Sequence, residues 1–461
     1  MKLGKSYWVD GALRRFAAVV LIAAATLIFP IRNAEPINTP ELKADANEAP
    51  NVSAQAKISA GYHNTCAITT DGGLKCWGYN DNPNRIVTSA ATNVITEPTD
   101  RSGLTSGVAS VSVFGGIGMC VVTVDGGAKC WGTNGTGKVG NGSTSDVFVP
   151  TNVDGLTSGV AQIATGGGHA CALLTSGAVK CWGDRSRGQL GDGSAASGVG
   201  QASPVQVSGL ESGVLAIAAG DEHTCAILSA DGSVKCWGAT TYGQVGDGTS
   251  GNFTYRLAPV FVLASGTDQN VDRRLTGAVA LTAGDTHTCA VTSSGGVMCW
   301  GRSDYGQLGD GTTSTRLNPV NVLDETGAAS LSGISAVTAG DQHTCALTTS
   351  GGVKCWGGNT SGPLGDGTGV RKSLPVNVLS AGTDQSRNRL TGVVAITAGL
   401  GHTCGLLSDN SLMCWGGNTN GQLGDQSQNR RLNPVTVAGG FSFGVDSSAP
   451  TLSSAAVKFL A

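Results

Sequence analysis

Between residues 57 and 440 the chain alternates short apolar runs with breaks rich in Gly, Asp and Ser, and the alternation itself repeats. One period is clearest at Ala339-Gly340-Asp341-Gln342-His343-Thr344-Cys345-Ala346-Leu347, which a turn joins to Val353-Lys354-Cys355-Trp356-Gly357. A Gly-rich stretch follows, best seen one copy earlier as Tyr305-Gly306-Gln307-Leu308-Gly309-Asp310-Gly311-Thr312. A run such as Pro319-Val320-Asn321-Val322 then closes the unit. Short apolar runs bounded by turn formers predict strands, about four per unit. Long helices are disfavoured, because each interior Gly costs a helix about 1 kcal/mol.

The first hairpin of the unit can be laid out residue by residue. Folding about Ser350 sets Cys345 opposite Cys355, Leu347 opposite Val353 and His343 opposite Gly357. Side chains alternate along a strand, so these share one face, while Thr344, Trp356, Ala346 and Lys354 share the other. Opposed residues at a non-hydrogen-bonded position sit about 4.5 Å apart at Cα, at the lower end of what a disulfide tolerates. The 14 Cys form such pairs throughout: Cys66 with Cys76, Cys120 with Cys130, Cys171 with Cys181, Cys225 with Cys236, Cys289 with Cys299, Cys345 with Cys355, and Cys404 with Cys414. The first Cys recurs after 54, 51, 54, 64, 56 and 59 residues, yet the gap within a pair is ten, or eleven in the fourth copy. The extra residue there falls in the turn Ser229-Ala230-Asp231-Gly232-Ser233. Pairing within each hairpin follows, each bridge closing a short loop worth about 2–3 kcal/mol.

Composition narrows the class. The 461 residues include 71 Gly but only 29 Lys+Arg and 32 Asp+Glu, and 40% are hydrophobic. A disordered chain is poorer in apolar residues and richer in charge, and collagen needs Gly at every third position. Seven units of about four strands match an all-β, seven-bladed β-propeller, each blade a four-stranded antiparallel sheet. An open solenoid would need polar caps, but the last copy, closing at Asn433-Pro434-Val435-Thr436-Val437, is as apolar as the interior ones.

Paired Cys persist in oxidising compartments, and the N-terminus agrees with export. Lys2, Lys5, Arg14 and Arg15 precede an apolar run from Phe16 to Phe29, stopped by Pro30. That run suits a signal segment and is short for a membrane span of about 20 residues, although an uncleaved single-pass anchor is the rival reading. Residues 1–34 are therefore expected to be a signal peptide or anchor, and 35–56 a linker. Residues 441–461 are expected to be a tail whose Val445-Asp446-Ser447-Ser448-Ala449-Pro450-Thr451-Leu452-Ser453 resembles the opening of bacterial immunoglobulin-like repeats. The net charge of −3 offers nothing to nucleic acid.

The pattern A-G-x-x-H-[ST]-x-A-L, G-x-V-x-x-W-G, G-Q-L-G-x-G resembles the regulator of chromosome condensation repeat, in seven copies over about residues 57–440. The resemblance implies a seven-bladed propeller used as a protein-interaction platform. Departures are local. The first copy reads Tyr79-Asn80-Asp81-Asn82-Pro83-Asn84 in place of Gly-Gln-Leu-Gly, and the second has Gly118 for His and Asn141 for Asp. Paired Cys are not a feature of the nuclear prototype, so its nucleotide-exchange activity is not expected to transfer.

Repeated residues read as structural. His63, His169, His223, His287, His343 and His402 precede the first Cys of their copies, and five stand in H-x-C, a spacing a zinc site would use. The second copy keeps Cys120 and Cys130 without the His, which argues for packed His and against metal. With every His committed to a repeat, a Ser-His-Asp or Cys-His arrangement has no imidazole left. Asp192, Asp247, Asp310, Asp366 and Asp425 sit in Gly-Asp turns and read as turn caps, with calcium as the alternative, although an EF-hand spacing is missing. The repeat tryptophans (Trp77, Trp131, Trp182, Trp237, Trp300, Trp356 and Trp415) hold a fixed slot beside Cys and read as blade-to-blade packing.

Two insertions break the repeat, running from Ser265 to Gly277 and from Ala381 to Gly392, and both carry Gly-Thr-Asp-Gln and Arg-Leu-Thr-Gly. Arg273, Arg274, Arg387 and Arg389 within them, with Phe253 and Tyr255 close by, form the candidate partner-binding set. The sequence thus predicts an exported, monomeric scaffold, secreted, periplasmic or on the cell surface, with no catalysis, cofactor or metal. A secreted inhibitor of an enzyme such as a β-lactamase and an exchange-factor-like regulator are the alternatives.

Overall fold

The computed structural model describes residues 57–80, 93–114, 118–194, 200–264, 273–386 and 388–444. All belong to the second of two compact units, Glu48–Ala461. The expected leader, linker and the tail from Val445 onward lie outside the described residues. Among the described residues, no helix is long and apolar enough to cross a membrane.

Seven four-stranded antiparallel sheets form, each from one contiguous stretch and ordered in space as in sequence. In the sixth blade the strands are Ile334–Ala339, His343–Thr348, Val353–Gly357 and Lys372–Asn377. The register is the one the sequence predicts: Cys345 pairs Cys355, Thr344 pairs Trp356, Leu347 pairs Val353 and His343 pairs Gly357. The fourth hairpin absorbs its extra residue in the turn, so Cys225 still faces Cys236.

All 14 Cys are bridged within their hairpins, at Cα separations of 4.0–4.2 Å. Cys66 is bonded to Cys76, Cys120 to Cys130, Cys171 to Cys181 and Cys225 to Cys236. Cys289 is bonded to Cys299, Cys345 to Cys355 and Cys404 to Cys414. Each partner is the one the strand register sets opposite.

The two faces of a hairpin become the two walls of neighbouring seams. The core between the fifth and sixth blades contains Cys289, Val291, Val297 and Cys299 from one side, and Ile334, Val337, Ala346 and Trp356 from the other. Blade packing is therefore the hydrophobic core. Inner strands are also stitched to each other, as where Thr338 Oγ1 accepts from Ala398 N (3.0 Å) and Thr397 Oγ1 from Ala60 N (3.0 Å). That last bond joins the seventh blade to the first and closes the ring.

Closure also uses a segment beyond the last repeat. In the sixth blade, Ile334 begins the inner strand, paired with Thr348 and bonded to Gly295 O of the preceding hairpin turn (3.0 Å). The first blade begins its own inner strand only at Ile58, and Phe443 takes the missing position. It pairs with Thr69, donates to Asn410 O of the seventh blade's turn (2.9 Å), and packs its ring 6.2 Å from Trp77 with 1% exposure. Phe443, just past the boundary expected at residue 440, thus supplies an inner-strand position of the first blade.

Candidate functional site

The repeat His and Trp serve the seams. His287 Nε2 lies 2.8 Å from Thr344 Oγ1 of the next blade. That hydroxyl donates to Gln307 O (2.8 Å), which also accepts from Trp356 Nε1 (2.9 Å). Because the hydroxyl's proton is spent on the carbonyl, the imidazole must donate from Nε2, which assigns a neutral ring with a bare Nδ1. The same link joins His169 to Thr224, His223 to Thr288, His343 to Thr403 and His402 to Thr65. Burial pulls these imidazoles well below their usual pKa of 6.5, to about 4 for His169 and His287 and about 3 for His223, His343 and His402. The Gly of the repeated Ala-Gly is a steric requirement here: a Cβ on Gly340 would stand 2.4 Å from His343 Cε1 and 2.3 Å from Gly399 O.

His63 departs from this role. Asn64 takes the seam position, paired with Gly78, and His63 lies half-buried beside Tyr62 and Tyr79. The turn aspartates are committed as well. Asp247 accepts from Thr249 N (3.2 Å) and from Arg256 Nε (2.6 Å). Asp310 with Thr312 and Arg316, and Asp425 with Ser427 and Arg431, repeat the arrangement. Asp192 caps Ser194 and pairs Arg185, and Asp366 caps Thr368 and accepts from Asn359. All five carboxylates cap turns and four of them balance arginines, and among the described residues no group of His, Cys, Asp or Glu is placed to hold a metal ion.

A different set of acids gathers at the mouth of the central channel. The residue after Ala-Gly, in the loop between the first two strands, is Asp221, Asp285 and Asp341 in three consecutive blades and Tyr62 in the first. Tyr62 reaches from the first blade to the fourth and donates its hydroxyl to Asp221 Oδ1 (3.0 Å). Asp285 and Asp341 share a hydrogen bond, and burial, then the charges of Asp341 and Asp221, pushes the Asp285 carboxyl up to about 8. Burial also raises Asp221 and Asp341 and lowers the Lys138 amine to about 8. Lys138 lies where the second blade lacks its His: a Cβ on Gly118 would meet its Cε at 3.2 Å. The Asp285–Asp341 pair thus keeps a proton at neutral pH.

The candidate partner-binding set divides between opposite ends of the propeller. In an antiparallel meander the first and third connections share one end, and the second connection shares the other with the link to the next blade. Tyr255 pairs with Ala239, whose N–H bonds to Glu222 O beside the channel mouth (2.9 Å). Phe253, 77% exposed at φ 62°, carries the Arg187 guanidinium 5.3 Å from its ring, and Arg187 reaches Glu222 at 3.8 Å. Phe253, Arg187, Glu222 and Asp221 thus form a continuous surface. Arg273, Arg274 and Arg389 sit in inter-blade links at the other end, with Arg274 bridged to Leu263 and Arg389 to Leu379. Arg274 is stacked on Phe261 at 3.4 Å, and Arg389 donates to Gln385 O (3.1 Å). Arg387 and residues 265–272 lie outside the described residues. The channel-mouth acids escaped the sequence reading, which looked for carboxylates in Gly-Asp turns. The available signal was Asp in one slot of three successive copies, where Gly167 and Leu400 show that packing does not require it.

Comparison with known proteins places the repeats. The regulator of chromosome condensation (RCC1) repeat matches at residues 56–82, 160–189, 214–244, 278–307, 334–362 and 393–422 in one form, and at 125–173, 176–227 and 294–347 in another. The ultraviolet-B receptor UVR8 of Arabidopsis thaliana is 34% identical over 296 residues, 64% of this chain and 61% of the receptor. The human E3 ubiquitin-protein ligase HERC2 is 31% identical over 325 residues, 69% of this chain and 6% of the ligase. The chain therefore spans less than two thirds of either relative. Among solved structures, human WBSCR16 superposes with a TM-score of 0.60 at 23% identity, covering 76% of this chain and 86% of that one. Prp20p of Saccharomyces cerevisiae, studied for its binding to Gsp1p and histones, does so with a TM-score of 0.63 at 17% identity, covering 88% and 95%.

Proposed function

The chain belongs to the regulator of chromosome condensation (RCC1) repeat family, and on that premise we propose that it is an exported, non-catalytic scaffold that docks a protein partner on its channel-mouth face. The observation that carries this reading is the surface running from exposed Phe253 through Arg187 and Glu222 to the buried acids of the mouth. An aromatic anchor bordered by Arg is what a binding hot spot uses, and the acids beyond it favour a partner that presents a basic segment. The relatives support a binding role, because a light receptor and a ubiquitin ligase share the propeller while differing in activity. Export is supported by the seven bridges, which a reducing cytosol would not maintain. The rest of the repeat chemistry is spent on the fold, since seam imidazoles, turn aspartates and paired thiols have no reactive group to spare.

The test is crosslinking of the full chain to its partner in the exported fraction, followed by affinity measurement on variants of each end. Phe253→Ala with Tyr255→Ala is expected to weaken the complex at least tenfold, as hot-spot truncation does. Arg273→Ala with Arg274→Ala and Arg389→Ala is expected to leave it intact. The opposite result would move the site to the inter-blade links and sink the channel-mouth reading.

A further inference from the structure

One core position is filled differently in the first blade. After the outer strand, each blade sends one residue into the seam, its N–H bonded to the first residue of the third strand. Val153, Val207, Val262, Val322, Val378 and Val437 do this in six blades, through Ala128, Val179, Val234, Val297, Val353 and Leu412. In the first blade the residue is Arg101, bonded in the same way to Leu74 O (2.9 Å) and fully buried at 0% exposure. Its Nη2 donates to Phe148 O, while its Nε and Nη1 have no hydrogen-bond partner.

The tryptophan beside it is unusual in the same sense. Six of the repeat tryptophans donate Nε1 to a main-chain carbonyl of the preceding blade at 2.8–2.9 Å. Trp131 does not: among the described residues its buried Nε1 meets no acceptor, and its ring lies 5.0 Å from the Arg101 guanidinium carbon. One seam therefore buries three donor nitrogens, two of them on a cation, that no described residue receives. An uncompensated charge in such surroundings is strongly unfavourable, and burial already lowers the Arg101 pKa to about 10. The first seam also lacks the His–Thr link, since Asn64 and Met119 occupy those two positions.

We propose that the seam between the first and second blades is a binding site for a small oxyanion, a carboxylate or phosphate, received by Arg101 and the Trp131 indole. A planar guanidinium with free N–H groups is suited to oxyanion recognition, and an anion there would neutralise the buried charge and satisfy the indole together. The site stands apart from the channel-mouth face and does not depend on it.

The experiment is thermal melting and intrinsic tryptophan fluorescence of the full chain, titrated with acetate and, separately, inorganic phosphate at constant ionic strength and pH. Wild type is expected to show a saturable rise in Tm with a parallel fluorescence change, and whichever anion saturates at lower concentration identifies the class. Arg101→Val restores the residue of the other six blades. It is expected to melt at or above the anion-free wild type and to lose the response. Arg101→Lys, which keeps charge without the planar fork, and Trp131→Phe, which removes the indole donor, are each expected to weaken apparent affinity at least tenfold. A wild type with no saturable response to either anion would overturn the proposal, as would an equal response in Arg101→Val.

Discussion

Acidification from pH 7 to pH 4 is expected to unfold the propeller even with all seven disulfides closed. Five seam imidazoles are buried and neutral, with pKa values near 3 or 4 against 6.5 for an ordinary His. A folded-state pKa below the unfolded one contributes stability above pH 6.5 that is lost as pH falls, because only the unfolded chain takes up the proton. The raised carboxyl of Asp285, at about 8, works the other way, its contribution being present at low pH and lost as pH rises through 8. Asp221, Asp341 and Glu222 are raised in the same sense. Five imidazoles against the better-defined of these carboxyls leave about four net protons, or at most roughly 5 kcal/mol per pH unit. A native stability of roughly 5–15 kcal/mol is consumed within a few such units. Circular dichroism and fluorescence of the buried tryptophans, followed from pH 8 to pH 3, check this. A native signal that persists unchanged to pH 3 would show that the seam imidazoles charge without breaking their links.

Phe443→Ala is the second large effect. Phe443 fills the first inner-strand position of the first blade from the far end of the chain, so its ring packs where two blades must meet to close the ring. Truncating a buried Phe costs about 3–5 kcal/mol, and here the loss falls on the closing seam. The neighbouring Phe441, 38% exposed under Lys75, serves as the comparison. Urea unfolding is expected to show a much lower midpoint for Phe443→Ala and a small shift for Phe441→Ala. Equal midpoints would mean that the blades close the ring without this segment.

Much of the fold was legible because one constraint is nearly constant along the chain. The Cys gap scarcely varies while the repeat length does, which fixes the hairpin register and, through alternation, the two faces that become seam walls. The His–Thr link is written there too. Asn64 is followed in the next copy by Met119, and Gly118 by Ala170, so each missing His is matched by a missing Thr one repeat later. That pairing is invisible until neighbouring copies are understood to touch. Other features depend on three-dimensional placement. The channel-mouth acids are far apart in sequence and meet around an axis that a single repeat does not reveal. Phe253 and Arg274 are close in sequence but lie at opposite ends, because the outer strand runs between them. Phe443 resembles no other copy's inner strand and is recognisable only by the bonds it makes.

The most direct test of an exported, disulfide-stapled propeller is the intact mass of the protein isolated from its native compartment, with thiols blocked at harvest, before and after reduction. The account predicts no alkylated Cys beforehand and, after reduction, a gain of about two mass units for each of seven bridges, all 14 Cys then becoming reactive. Free thiols throughout the harvested protein would contradict it, because the paired hairpins would then be reduced in the place where the protein works.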